Sequence, residues 1–216
     1  MFLTFEGIDG SGKTTQLKRL AAYLRRQGLP VVETREPGGT PLGERIRALL
    51  LRGAGRGMDA RTELLLMFAA RAEHVAQVIR PALAAGKVVL CDRFTDASLA
   101  YQGYGRGLER RFIRELDRLA CRGVKPNLTF VVDINPRTSL QRAKRRNRRA
   151  RVGTARFERE TRAFYERVRR GYQALARAEP RRVRQVNGED TIKNIHRKIV
   201  ALVARRLGLR PRGRER

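Results

Sequence analysis

The chain has 216 residues, 41% hydrophobic and 32% charged, which suits one globular domain with a sizeable buried core. No apolar run approaches the ~20 residues of a membrane span, and the N-terminus lacks the basic stretch and apolar h-region of a secretory leader, so a cytoplasmic protein is expected. Forty-nine Lys and Arg against 21 Asp and Glu give a formal net charge of +28, which points either to an anionic partner such as a nucleotide, nucleic acid or anionic lipid, or to an arginine-rich composition spread over a solvated surface.

In chain order, Phe2–Phe5 is a short apolar run ending in glycines, a strand followed by a turn. Lys13–Gln27 places Leu17, Leu20, Ala21 and Leu24 on one helical face and stops at Gly28. Val31–Thr34 reads as a strand and Gly43–Leu51 as a short helix before a glycine-rich loop. Arg61–Ala85 is a long helix bent near Pro81, and Lys87–Cys91 a buried strand. Arg110–Cys121 is an amphipathic helix with Phe112, Ile113, Leu116 and Leu119 expected inward. Leu128–Ile134 is a buried strand, Thr138 opens a helix, and Phe157–Ala178 is helical again. Val183–Val186 is strand-like, and Ile192–Leu207 closes as a helix on Ile192, Ile195, Ile199 and Leu202. Strands alternating with helices predict an α/β fold, a doubly wound parallel sheet flanked by helices, over residues 1–208. Residues 209–216 form a basic tail expected to be disordered. Cys91 and Cys121 lack metal-ligand spacing and sit in apolar segments, as buried free thiols do in a reducing compartment.

The strongest motif is Gly7-Ile8-Asp9-Gly10-Ser11-Gly12-Lys13-Thr14-Thr15, which fits G-x-x-x-x-G-K-S/T between a predicted strand and a predicted helix. Glycines let backbone N–H groups wrap a phosphate, and the helix N-terminus adds a favourable dipole. Lys13 is expected to bridge the β- and γ-phosphates of ATP, and the Thr14 hydroxyl to ligate Mg²⁺. Such a loop serves switches, motors, helicases and small-molecule kinases alike.

A phosphate acceptor needs a second anion site. Arg35 and Glu36 follow the second strand directly, Arg47 lies in the next helix, and Asp92-Arg93 follows the Lys87–Cys91 strand. Ligand groups cluster at the carboxyl ends of parallel strands. Asp92 is placed as the acidic group near Mg²⁺, and Arg93 can fork onto an acceptor phosphate.

Four segments, GIDGSGKTT (7–15), TREPGGTPLGERIR (34–47), LLLMFAARAEHV (64–75) and CDRFTDASLAYQGYGRG (91–107), together resemble the bacterial thymidylate kinase family in order and spacing. The likeness runs over most of residues 1–200. It implies a P-loop nucleoside monophosphate kinase that transfers the γ-phosphate of ATP to dTMP with Mg²⁺, yielding dTDP. It implies that Asp9 faces the deoxyribose 3′-hydroxyl and that Arg93 and Arg47 hold the acceptor phosphate, with Arg35 nearby. Glu36 takes the place of an acidic residue near the metal and phosphates. Arg71 reaches the thymine edge, Ser98 and Gln102 read its polar edge, and Tyr101 crowds the 2′ carbon, a modest filter against ribose of ~1–3 kcal/mol. The family usually has an aromatic residue where this chain has Met67, with Phe68 one place later, so either Met67 or Phe68 lies on the base. Ala97 stands where the family often has Ser.

Residues 142–151 carry seven basic and no acidic side chains. So dense a run of like charge predicts an exposed segment, and the resemblance makes residues 142–156 a lid over ATP. A lid arginine would supply transition-state charge. Arg156 takes the family's place, though the usual Asp before it is Ala155. Arg149 and Arg151 are rivals, and Arg142 is a candidate for the adenine face. An acceptor phosphate with a second pKa near ~6 needs no general base, and His74 and His196 read as structural or surface residues. The family is typically homodimeric, and Arg61–Ala85 is a candidate face. Another deoxynucleotide or nucleoside kinase, an impaired paralogue, and a nucleic-acid-binding P-loop ATPase stay open. Against the last, aromatic and basic residues are not interleaved, which leaves nucleic-acid binding as a weak electrostatic side effect.

Overall fold

The structure is a computed structural model and describes residues 1–52, 58–142 and 160–209. Five strands, β1 (Phe2–Glu6), β2 (Val31–Arg35), β3 (Val88–Asp92), β4 (Leu128–Asp133) and β5 (Val183–Asn187), form one parallel sheet in the order β2-β3-β1-β4-β5. Period-2 alternation sorts their side chains between two helical layers. Leu3 and Phe5, Val88 and Leu90, and Leu128, Phe130 and Val132 pack with Leu17, Leu20 and Leu24 of α1 (Lys13–Arg26) and with Ile195, Ile199 and Val203 of α8 (Ile192–Leu207). On the opposite face, Phe2, Val89 and Cys91 meet Val75 and Ile79, and Val131 meets Ile113 of α6 (Arg110–Cys121) and Tyr165, Val168 and Tyr172 of α7 (Arg162–Ala178).

The first-helix face agrees with the periodicity, and both cysteines are free and buried. The long central helix begins as α3 (Ala60–His74), passes through a π-helical stretch at Val75–Ile79, and resumes as α4 (Arg80–Ala84). The π turn precedes Pro81, whose missing N–H and bulky ring break the regular i→i−4 ladder. On α6, Phe112 and Leu119 face outward, Leu119 at 75% exposure, against the expectation that they point inward. On α8, Ile192 is exposed, and the buried stripe runs through Ile195, Ile199 and Val203 instead.

The sequence showed no element between residues 91 and 110, yet α5 (Thr95–Ser98) and a π-helical turn at Leu99–Gly105 occupy it. Its three glycines and mixed polarity hide the helical period. α2 spans Pro41–Arg52. Residues 136–142 are helical. Leu209 packs onto the sheet core and its N–H reaches the Ala204 carbonyl, so the folded body includes it. Most of the lid, with Arg149, Arg151 and Arg156, and the tail from 210 lie outside the described residues. No helix among the described residues is long and apolar enough to cross a membrane.

Candidate active site at the strand ends

β1 is the central strand, flanked by β3 and β4. Register sets Phe5 beside Asp92 and Asp92 beside Arg35, so three strands end level. Two further backbone hydrogen bonds extend the ladder: Glu36 donates to the Asp92 carbonyl (2.9 Å) and Arg93 to the Phe5 carbonyl (3.0 Å). The loop after β1, Glu36 and Arg93 are thereby held side by side.

The loop after β1 is built by residues that tolerate left-handed backbone. Gly7 has φ 136, and a Cβ there would lie 2.5 Å from the Val132 carbonyl oxygen. Gly12, at φ 92, precedes α1 with no side-chain cap, so the first-turn N–H groups remain available to an anion. The Ser11 hydroxyl is buried without a hydrogen-bond partner among the described residues. Lys13 is buried; burial and the nearby Arg93 lower its pKa, while Asp92, Asp9 and Glu6 counter them. Its ammonium lies 3.9 Å from Asp9 Oδ1. The Thr14 hydroxyl donates to Asp92 Oδ2, which brings together the two residues expected at the metal. Hydroxyl and carboxylate oxygens are hard donors, and their small number suits an ion that keeps waters and phosphate ligands, as Mg²⁺ does. No cluster of three or more His, Cys, Asp or Glu able to hold a metal occurs among the described residues.

Beside the loop lies a cleft enclosing about 890 Å³ including its open mouth. Asp9, Glu36, Arg47 and Arg93 line its polar end, and Met67, Arg71, Ser98, Tyr101 and Gln102 the rest, with Pro37, Leu50, Leu51 and Ala97. Two expected residues do not line it. Arg35 is half exposed and pairs with Glu44 (2.9 Å), and Phe68 is buried in the core with the Arg71 guanidinium 4.5 Å above its ring. Of the two side chains considered for the base, Met67 alone lines the cleft.

Arg93 is at the centre. Its backbone has φ 73, which few non-glycine residues adopt. Its Nη2 donates to Asp9 Oδ1 (2.9 Å) and to the Tyr101 hydroxyl (3.0 Å), and its Nη1 to the Tyr172 hydroxyl (3.4 Å). Burial works against its charge, but Tyr101 and then Asp9 outweigh burial and raise its pKa. Glu6 stabilises this arrangement from below. Its carboxyl is fully buried, accepts from the Phe94 N–H (2.7 Å) and the Tyr172 hydroxyl (2.8 Å), and has a pKa pushed up to about 8 by burial and then by Asp96.

Glu36 accepts from Arg71 Nε (2.6 Å) and meets His74 Nδ1 (2.9 Å), whose Nε2 contacts the Thr34 hydroxyl (2.6 Å). Glu36 thereby fixes Arg71, and His74 braces Glu36. Arg71 Nη2 donates to the Phe94 carbonyl and the Ser98 hydroxyl, both at 3.1 Å, while its buried Nη1 has no acceptor among the described residues. Burial opposes the Arg71 charge, and Glu36 more than restores it. Arg47 donates to the Pro37 carbonyl (2.8 Å); burial and then Arg35 lower its pKa. Arg142 donates to the Gly188 carbonyl at 3.4 Å.

Four contributors escaped sequence reading. Tyr165 and Tyr172 belong to the buried stripe of α7 and look like ordinary core; the Tyr165 hydroxyl lies 3.3 Å from Asp9 Oδ2. Glu6 ends an apolar strand. Glu63 is an acidic residue in the first turn of α3, a common helix-capping pattern.

The thymidylate kinase family matches residues 5–199. A thymidylate kinase of Desulfovibrio desulfuricans is 50% identical over 212 residues, covering 95% of this chain and 98% of the relative. One from Symbiobacterium thermophilum is 48% identical over 213 residues, covering 99% and 97%. The crystal structure of thymidylate kinase from Ehrlichia chaffeensis superposes with a TM-score of 0.75 at 37% identity, covering 94% of this chain and 98% of that one.

Proposed function

The chain belongs to the thymidylate kinase family, an ATP-dependent phosphotransferase acting on dTMP, and from that premise we propose how its residues divide the work. The loop of residues 7–15 holds the ATP phosphates, with Lys13 on the transferring group, and the cleft beside it holds dTMP. Thr14 and Asp92 hold Mg²⁺, which supplies charge neutralisation on the phosphate oxygens when bound. The observation that carries this reading is Arg93: partly buried, held by hydrogen bonds to Tyr101 and Tyr172, and bonded to Asp9 of the phosphate loop, it stands where the two sites meet.

In the acceptor cleft, Arg93 and Arg47 bind the phosphate of dTMP. Asp9 takes the 3′-hydroxyl, and Tyr101 lies against the 2′ carbon. Arg71 Nη1, a buried donor without an acceptor, meets a carbonyl of the thymine ring, and Met67 covers a face of the base. A phosphate monoester is largely dianionic near neutral pH and attacks without a base, so positioning and charge neutralisation carry the reaction. Lys13 and Arg93 draw the two anions together and offset the repulsion between them. A turnover panel of dTMP, dUMP, dCMP and thymidine tests the assignment: preference for dTMP supports it, and preference for dCMP or thymidine overturns it.

We further propose a homodimer through α3 and α6. Leu65 on α3 and Phe112 and Leu119 on the adjoining α6 are exposed, and burying the apolar surface they leave uncovered stabilises by about 25 cal/mol per Å². Light scattering on a Leu119→Glu variant tests this: a monomer is expected where the parent is a dimer.

A further inference from the structure

Gln102 lines the acceptor cleft, but its amide is oriented from behind. Its Nε2 donates to Glu63 Oε1 at 2.7 Å. Glu63 is fully buried, and its other oxygen accepts from Arg106 Nη2 at 3.3 Å. Arg106 is in turn held by Glu160 (2.7 Å) and lies over the Phe164 ring. A carboxylate accepts hydrogen bonds and donates none. The flipped Gln102 amide would set its carbonyl oxygen against Glu63, an unpaired buried acceptor facing another. Glu63 therefore fixes the amide one way round. Gln102 Oε1 accepts from no donor among the described residues.

Two residues that line the cleft thus keep one polar atom in reserve: Arg71 a buried donor, Nη1, and Gln102 an acceptor, Oε1. A pyrimidine-2,4-dione answers with the opposite pair, its O4 accepting and its N3–H donating. Cytosine offers an amino donor at position 4 and an acceptor at N3, so both contacts are mismatched. Resting on the assignment of the cleft to the acceptor nucleotide, we propose that Glu63, which does not line the cleft, is a positioning residue that sets base specificity by locking the Gln102 amide, with Arg106 bracing it. A site with fixed polar groups rejects a mismatched analogue far more strongly than an apolar pocket does.

The test compares kcat/KM for dTMP and dCMP in Glu63→Gln, Glu63→Asp and Gln102→Ala. An amide at position 63 both donates and accepts, so Gln102 is free to turn. The dTMP:dCMP ratio is expected to fall about tenfold in Glu63→Gln, to persist in Glu63→Asp, and to change less than about twofold when Glu63→Gln is added to Gln102→Ala. Equal losses for both substrates in Glu63→Gln, with the ratio unchanged, overturn the proposal, since a merely structural residue behaves so. If Gln102→Ala leaves the KM for dTMP unchanged, the assignment of the cleft itself fails. A measurement on the parent protein covers the case in which Glu63→Gln does not fold. The Gln102 side-chain NH₂ resonances should include one proton displaced downfield and slow to exchange; two freely exchanging protons overturn the proposal.

Discussion

Arg93 Nη2 lies 2.9 Å from Asp9 Oδ1, so the residue that follows β3 is bonded to the third residue of the phosphate loop. Because one guanidinium serves loop and cleft together, its removal should divide substrate effects unevenly. Arg93→Ala is expected to lower kcat/KM for dTMP by about a thousandfold while ATP affinity shifts by less than about tenfold. Steady-state kinetics with both substrates varied, beside direct ATP titration, reads the two effects separately.

Lys13 is buried at the start of α1 and near Asp9, with no share in the apolar core. Lys13→Ala should abolish phosphoryl transfer and leave the fold intact. Turnover near the parent level, or loss of the cooperative thermal transition, contradicts its role.

Glu6 gives the fold a pH dependence of definite sign. Its pKa is raised from 4.5 to about 8, so between those values the folded chain keeps a proton that the unfolded chain has lost. Stability from this group is full below pH 4.5 and declines as pH rises towards 8. Glu6→Gln removes that decline. Thermal unfolding at pH 5 and 8.5 should show the parent losing stability relative to the variant by a few kcal/mol, on the order implied by the shift; equal slopes in the two proteins contradict it.

Tyr165 offers a graded test of the Asp9 environment. Its hydroxyl donates to Asp9 Oδ2 at 3.3 Å. Tyr165→Phe keeps the ring and deletes the hydrogen bond to Asp9, worth about 0.5–1.5 kcal/mol. The KM for dTMP should rise about two- to tenfold, with kcat less affected, and a change confined to the KM for ATP argues against the contact.

The phosphate loop was legible because its glycines, lysine and hydroxyl sit in one short run whose chemistry is local. The parallel sheet was legible from short apolar strands spaced by helices. Arg93 and Asp92 were found because strand ends position ligand groups: Arg93 lines the cleft with Arg47 of α2, and Asp92 meets Thr14 of the phosphate loop. Arg35 showed the limit of that rule: it ends β2 but turns outward to Glu44, and only the fold says which way a side chain leaves a strand. Glu6, Glu63 and Tyr172 act through partners 39 to 166 residues away, and no local pattern carries such pairings. Phe112 and Leu119 were misplaced because a helical stripe reports an apolar face without saying what covers it.

Binding of dTMP tests the central claim most directly. In a crystal of the complex, the nucleotide phosphate should lie about 2.7–3.0 Å from the guanidinium groups of Arg93 and Arg47, beside the loop of residues 7–15, with a thymine carbonyl on Arg71 Nη1. A phosphate bound elsewhere, with Arg93 still held only by Asp9, Tyr101 and Tyr172, contradicts the two-site arrangement.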